Sequence, residues 1–462
     1  GVDFVFSGPA LRSFPELVRR LLRGDTAGCH RIDGVFSRQN RVREAGCTPA
    51  GPPQPDGPPA VRALGEEADI NELLELDYEP FLEAFETRFP GLEKPRLFFE
   101  TSRGCWWGER AHCTFCGLNG STIHFRELRP ELAIRHLDSL FRHAGRVSQL
   151  SAVDNILPRG YLREVLPYLD TPEGVSLFYE VKADLDEDDL RVLARAGVRR
   201  VQPGIEALNT STLKLMRKGT SAFQNLRFLA HCLRYGVKPY WNLLIGFPGE
   251  EAAVYRKYLA DLPLLTHLPP PQGVFPVRFD RFSPYHEHAG EYGLVLKPLD
   301  WYALAYPFPA DALAELAYYF ADHDYEAEYA FAASRALPPL RREVERWNAL
   351  WADPARRPRL ELRRHRGAAF VFDSRTGAPV EYGLGEGAAR VLAALATPGK
   401  PASLAAELPD VEVDAELAVL RGKGLVFQEG ERLLGLPVPP PAGAGEGSTR
   451  AAVLRSQAKV LL

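Results

Sequence analysis

Between residues 96 and 285 the chain alternates short apolar runs with longer segments whose apolar positions recur at helical spacing. The runs Arg96–Thr101, Val147–Val153, Ser176–Val181, Arg199–Ile205, Pro239–Gly246 and Val274–Phe282 read as strands. A helical pattern follows each of the first five. In residues 186–196 acidic side chains fill the first turn, Leu190, Leu193 and Ala194 share a face, and Gly197 ends the pattern. Residues 221–235, stopped by Gly236, form another. Strands alternating with helices pair in parallel through right-handed crossovers. Six of them predict an α/β fold, a partial (β/α)6 barrel with its chemistry at the carboxyl ends of the strands.

The flanks read differently. Val2–Phe6 as a buried strand, a turn at Ser7-Gly8-Pro9 and a helix over Leu11–Leu22 predict a βα unit of the kind that closes a doubly wound domain. The pattern dissolves from Asp25 to about Gly65, and Gly46–Ala60, rich in Pro and Gly, reads as linker. Asn71–Phe89 reads as a helical approach to the barrel. Residues 299–359 are expected to be mostly helical. In 360–438 a hairpin over Ala368–Tyr382 precedes helices at Gly387–Ala396, Ala402–Glu407 and Asp414–Lys423, then a second hairpin across Glu429-Gly430. That order predicts a small winged-helix-like α+β domain. The expected division is 1–65, 66–298, 299–359, 360–438 and a flexible tail at 439–462.

Composition narrows the classes. A net charge of −4 gives no reason to expect nucleic acid or an anionic membrane as partner. No apolar run is long enough to span a bilayer and no signal peptide opens the chain, so the cytoplasm is expected. The single methionine is Met216, so the sequence does not open at a start codon, and a further N-terminal portion is expected. Six cysteines are too few to staple 462 residues with disulfides. Cys29, Cys47 and Cys232 are scattered and read as structural; the other three lie within twelve residues of one another.

Those three follow the first strand of the barrel, in Thr101-Ser102-Arg103-Gly104-Cys105-Trp106-Trp107-Gly108 and then His112-Cys113-Thr114-Phe115-Cys116-Gly117. Three thiolates on one loop can hold three irons of a 4Fe–4S cubane and leave the fourth open, as a cluster must if it is to bind and cleave a ligand. Zinc is the alternative. A structural zinc takes four protein ligands, and His112 or His124 would have to supply the fourth. Three cysteines on this loop, with aromatic Phe115 before the third, resemble the radical S-adenosylmethionine (SAM) superfamily. The spacing C-x7-C-x2-C exceeds that superfamily's usual C-x3-C-x2-C by four residues. The wording resembles one branch, the cobalamin-associated maturases that C-methylate ribosomally made peptides, and related wording runs from the first helix to about residue 290.

The resemblance implies roles for further residues. Cys105, Cys113 and Cys116 would hold the cluster, and Phe115 would lie against the adenine of SAM. Asp154 and Asn155, at the end of the second strand, would meet the SAM amine, although a helix cap or turn explains them too. Strand alternation puts Glu180 and Lys182 on one face. Lys182 resembles the cation that binds the SAM carboxylate, with Glu180 orienting it, and an internal ion pair is the alternative. Gln202 and Glu206 also share a face and resemble positions near the ribose and methionine moiety. Ile245 would pack on adenine and Gly246 would allow close approach, where a plain buried strand serves nearly as well. Arg281, Tyr285 and His286, at the sixth strand's mouth, line either the substrate pocket or an exposed loop.

The implied reaction is reductive cleavage of SAM to methionine and a deoxyadenosyl radical, which abstracts an unreactive hydrogen. Methylcobalamin would then deliver a methyl group to a precursor-peptide side chain. The opening βα unit resembles the tail of a cobalamin-binding domain. The winged-helix-like domain resembles modules that bind leader peptides by adding a strand to a sheet edge, and a structural cap on the barrel is the alternative. The implied partners are a leader-bearing peptide and an electron donor such as flavodoxin or ferredoxin. Two rival functions remain: a radical SAM maturase that forms thioethers or epimerises residues, and a zinc-stabilised binding protein.

Overall fold

The computed structural model describes residues 2–8, 10–43, 58–72, 76–118, 120 and 122–440. They form two compact units that part after Leu76. Cys47, most of the expected linker, and the tail beyond residue 440 lie outside the described residues.

In the first unit the expected helix spans Ser13–Leu22 and buries Leu17. The opening strand is only Val5–Phe6, with Val5 exposed, and it pairs antiparallel with Val35–Phe36. Arg41–Arg43 pairs in parallel with Ala60–Arg62. The last unit of a parallel doubly wound sheet is therefore not what these residues form. Two- and three-residue strands carry too few alternating positions to announce themselves in sequence. Cys29 is fully buried in this unit's small core with Leu17, Ile32 and Val35.

The second unit begins at Asp77, eleven residues beyond the boundary read from sequence. Its centre is a parallel sheet of β1 (Arg96–Phe99), β2 (Gln149–Ala152), β3 (Ser176–Glu180), β4 (Val198–Gln202) and β5 (Lys238–Pro239), in that spatial order. A parallel pair, β6 (Leu243–Ile245) with β7 (Val274–Pro276), continues the series. The expected fifth strand is thus two. Pro239 has no N–H to give the ladder, and Trp241 turns into the core, where its Nε1 donates to the Pro269 carbonyl at 3.1 Å. The expected sixth strand stops at Pro276 for the same reason. Phe279–Asp280 joins Tyr319–Asp322 and Leu296–Pro298 in a separate antiparallel sheet, so residues 299–359, mostly helical as expected, also supply one strand.

The crossover helices include α1 (Trp106–Ala111), α2 (Pro130–Phe141), α3 (Tyr161–Glu164), α4 (Glu187–Arg195), α5 (Thr210–Leu215), α6 (Ala222–Tyr235) and α7 (Ala252–Asp261). Their ends are encoded locally. Asp186 with Asp189, and Ser221 with Gln224, form reciprocal caps at the starts of α4 and α6, and Gly236 closes α6 at φ +68°. Cys232, on the buried face of α6, is core as expected.

The C-terminal module matches its sequence reading apart from one strand. Leu360–His365, Ala368–Asp373 and Val380–Leu384 form an antiparallel meander, so the basic stretch 356–366 supplies an unforeseen first strand. Helices Glu386–Ala394, Pro401–Glu407 and Val413–Gly422 and the hairpin Val426–Glu429/Arg432–Gly435 follow. Arg375 ties the module to the barrel by donating to the Leu264 carbonyl at 2.7 Å, and within the module it donates to the Gly424 carbonyl at 2.9 Å. No helix among the described residues is long and apolar enough to cross a membrane.

Candidate active site

The loop after β1 is shaped by hydrogen bonds to the end of β2 and within its own turns. Thr101 and Ser102 are buried and face Asp154 at the end of β2. The Asp154 carboxylate accepts from the Thr101 N–H at 2.7 Å, the Ser102 hydroxyl at 2.9 Å and the Thr101 hydroxyl. Burial pushes this carboxyl up to about 6, against those hydrogen bonds. Gly104 follows at φ +77°, where a Cβ would come within 2.2 Å of the His124 carbonyl oxygen. Cys105 then caps α1, its Sγ accepting from the Gly108 N–H at 3.3 Å.

Helix α1 occupies the longer stretch between the first and second cysteines, and two indoles hold it. Trp106 Nε1 donates to the Leu157 carbonyl at 3.2 Å, and Arg159 lies 4.6 Å over its ring. Trp107 Nε1 donates to the Arg217 carbonyl at 3.1 Å, and Lys182 Nζ lies 4.4 Å over its ring. The remainder of the loop is pinned by Thr114, whose N–H and hydroxyl donate to the carbonyls of Met216 at 3.1 Å and Leu215 at 3.0 Å. The Thr114 carbonyl accepts from the Tyr285 N–H at 2.9 Å.

The Cys113 and Cys116 thiols are pushed up by burial, Cys116 to about 12, while Lys218 nearby pulls the other way. Coordination to iron would remove those protons outright. Lys218 is the cation of this site. Burial works against its charge, but Glu206, 3.3 Å from Nζ, outweighs that and holds the ammonium protonated. Its Nζ lies 5.5 Å over the Phe115 ring, which packs edge-on to Phe247 at 5.8 Å.

Several expectations change. Asp154 holds the cysteine loop, so its oxygens serve Thr101 and Ser102 rather than the SAM amine; Asn155 follows in the bend after it. Lys182 pairs with Asp184 at 3.1 Å and the Gly219 carbonyl at 3.3 Å, not with Glu180. Strand β3 ends at Glu180, so alternation does not extend to Lys182. Burial pushes the Glu180 carboxyl up to about 7. Gln202 and Glu206 share no strand face either: Gly204 at φ +56° and Glu206 at φ +55° break the alternation, Gln202 is exposed, and Glu206 pairs with Lys218. A left-handed glutamate is strained backbone of the kind that gathers at functional sites.

Ile245 is fully buried, and the Gly246 N–H donates to Glu250 Oε2 at 2.8 Å. The substrate readings fare worst. Arg281 donates to the carbonyls of Ala317, at 2.6 Å, and Ala314. Tyr285 is buried against Phe279 and Tyr292. Neither lines an open mouth. His286 pairs with Glu287 at 3.0 Å and packs on Phe320.

Sequence reasoning missed Lys218, Glu250 and the two indoles. Lys218 stands in a turn after short α5, where Lys-Gly signals a helix end as readily as a site. Glu250 was legible only as part of a Gly-Phe-Pro-Gly-Glu turn, yet its carboxylate accepts from Thr212, Gly246, Phe247 and Tyr255.

The donor set fits a cluster with an open iron: three thiols on one loop, backbone N–H groups of Gly108 and Leu118 on the sulfurs of Cys105 and Cys116, and a cation alongside. The candidate fourth zinc ligands are engaged elsewhere. His112 Nε2 bonds to the Cys116 carbonyl at 2.8 Å, and His124 pairs with Glu109. Among the described residues, no three His, Cys, Asp or Glu side chains converge on one metal ion.

Fold and loop together define a barrel that carries three free cysteines on the loop after its first strand. Residues 99–260 match the family described as the radical SAM superfamily, and the chain therefore carries a radical SAM domain. That family implies a 4Fe–4S cluster and SAM as its cofactors. No curated protein matches. Among solved structures, the cobalamin-dependent SAM radical enzyme OxsB with aqua-cobalamin bound is 17% identical over 63% of this chain and 40% of its own, at a TM-score of 0.42. The radical SAM methyltransferase TsrM from Kitasatospora setae is 17% identical over 63% of this chain and 54% of its own, at 0.44. Coproporphyrinogen III oxidase (HemN) from Escherichia coli is 16% identical over 79% and 90%, at 0.32. The chain thus spans 40% and 54% of the first two proteins' lengths.

Proposed function

We propose that this chain modifies a ribosomally made precursor peptide by radical SAM chemistry, with cobalamin-dependent C-methylation of an unactivated carbon as the reaction. The observation that carries the radical SAM reading is the cysteine loop itself, with three thiols at a strand's carboxyl end and both His112 and His124 engaged with other partners. When bound, the cluster supplies the electron that cleaves SAM. The chain's own residues orient and shield. Phe115 offers an aromatic face beside the third cysteine. Lys218, paired with Glu206 at 3.3 Å, is assigned here the carboxylate-binding role that the family resemblance implied for Lys182. Cys113, Cys116 and Lys218 are half-buried, which limits the water that reaches the reacting centre.

The cobalamin element rests on the wording of the cysteine loop and of the opening helix. The peptide element rests on the C-terminal meander, whose strand Val380–Leu384 pairs on one side only among the described residues and offers an edge to an added strand. Electrons would come from a flavodoxin or ferredoxin.

The test is anaerobic. The protein is reconstituted with iron and sulfide, given SAM and a strong reductant, and assayed for deoxyadenosine by mass spectrometry. Wild type is expected to form it, and a variant carrying Cys105→Ala, Cys113→Ala and Cys116→Ala to form none. An intact cluster without product would sink the SAM-cleaving reading. Methylation that persists without cobalamin would sink the cobalamin element alone.

A further inference from the structure

Away from the cysteine loop and the residues that brace it, helix α6 carries a row of donors that no role above uses. Arg227, His231 and Arg234 recur at i, i+4 and i+7, which sets them on one face over about 10 Å of helix axis. Arg227 Nε, His231 Nε2 and Arg234 Nε are all buried and meet no acceptor among the described residues. Buried donors are nearly always met, and here three belong to residues that line one cavity of 270 Å³. The cavity lies in the seam between barrel and C-terminal module, where Leu226, Leu268, Leu434 and Leu436 make much of its wall apolar.

Charge decides what fits. Glu187, the one acid on the wall, is already taken: it accepts from Arg234 and from the Tyr235 hydroxyl at 2.9 Å. Burial holds the His231 ring below its ordinary value against the pull of Glu187, so the imidazole is neutral. Arg227 has no carboxylate partner among the described residues, which leaves one positive charge uncompensated. A guanidinium with its Nε free presents a two-pronged edge that matches a carboxylate. We propose that this cavity is a binding site for a singly charged carboxylate on an apolar stem, received by Arg227 and His231 with Arg234 alongside. A phosphate dianion would bring one charge too many. Such a carboxylate comes either on a peptide, as a glutamate side chain, or as a free short-chain acid.

The experiment titrates the full chain by calorimetry at neutral pH with four probes: a short capped peptide with one glutamate between two leucines, its glutamine counterpart, butyrate and inorganic phosphate. The glutamate peptide or butyrate is expected to bind saturably, at least about tenfold more tightly than the glutamine peptide or phosphate. The tighter of the two names the source. Arg227→Gln should abolish this binding and leave the thermal midpoint in place, because that guanidinium has no ion pair to lose. Ala230→Glu sets a carboxylate within the cavity, three residues from Arg227 and four from Arg234, and should block binding without lowering the midpoint. If Arg227→Gln fails to fold, Ala230→Glu decides alone. No saturable binding to wild type, phosphate bound as tightly as the carboxylates, or binding that survives the substitutions overturns the proposal. None of these measurements needs the cluster or SAM, so their outcome stands apart from the functional reading above.

Discussion

Two buried carboxylates, Asp154 and Glu250, organise opposite halves of the barrel in different ways. The donors to Asp154 all come from Thr101 and Ser102, the stretch that leads into Cys105. Those to Glu250 come from three places: Thr212 on α5, the backbone at Gly246 and Phe247, and Tyr255 on α7. The first carboxylate aims one loop. The second knits together three elements, and Phe247 then bears on Phe115. Losing Asp154 should therefore be felt first at the cysteines, and losing Glu250 first in the fold.

The largest expected effect breaks the second region. Glu250→Ala strands several buried donors, each worth about 1–3 kcal/mol when left unmet, so unfolding free energy should fall by about 4 kcal/mol in urea titrations. A loss under about 1 kcal/mol would mean water satisfies those donors and the comparison fails.

Next comes the pH dependence of the first region. The Asp154 carboxyl stands at about 6 in the folded chain against an ordinary 3.8. A raised carboxyl favours the protonated form, so the stability it lends is complete below pH 4 and lost as pH rises through 6. The loss amounts to about 3 kcal/mol relative to Asp154→Asn, which has no such proton to lose. Parallel urea titrations of the two proteins from pH 4 to 7 should diverge over that window. Curves that stay parallel would place Asp154 in a wetter setting than its burial indicates.

The smallest effect sharpens the picture of the loop. At Gly219, φ is +66° and a Cβ would fall 2.2 Å from the Trp107 ring. Gly219→Ala should cost about 1–3 kcal/mol in stability, and cluster loss to a chelator should quicken about tenfold as α1 loosens. Chelation at the wild-type rate would show that the Trp107 bracket does not position the cysteines.

Sequence carried the parts of this molecule whose signals are local. The cysteine spacing, the caps of α4 and α6, and the helices of the C-terminal module all stand where their residues placed them. What failed depended on contacts across the fold. Period-two alternation put Lys182 beside Glu180, but the strand ends first and the lysine turns onto Trp107. Lys218 reaches the site through a left-handed turn at Arg217 and Gly219, and no spacing rule marks such a turn as functional. Asp154 and Tyr285 looked like ligand-facing residues because polar groups at strand ends often are. Their partners, Thr101 and Thr114, lie far away in sequence and near only in space.

The two indoles beside Cys105 have an optical consequence. Trp106 and Trp107 cross at 87° with ring centroids 6.4 Å apart, directly next to the first cysteine. An iron–sulfur chromophore there would drain their excited state by energy transfer, while Trp241 and Trp347 sit edge to face in the core with no cysteine beside them in sequence. The native emission of this chain is thus a built-in gauge of metal loading, bright when the loop is empty and dim when it is filled.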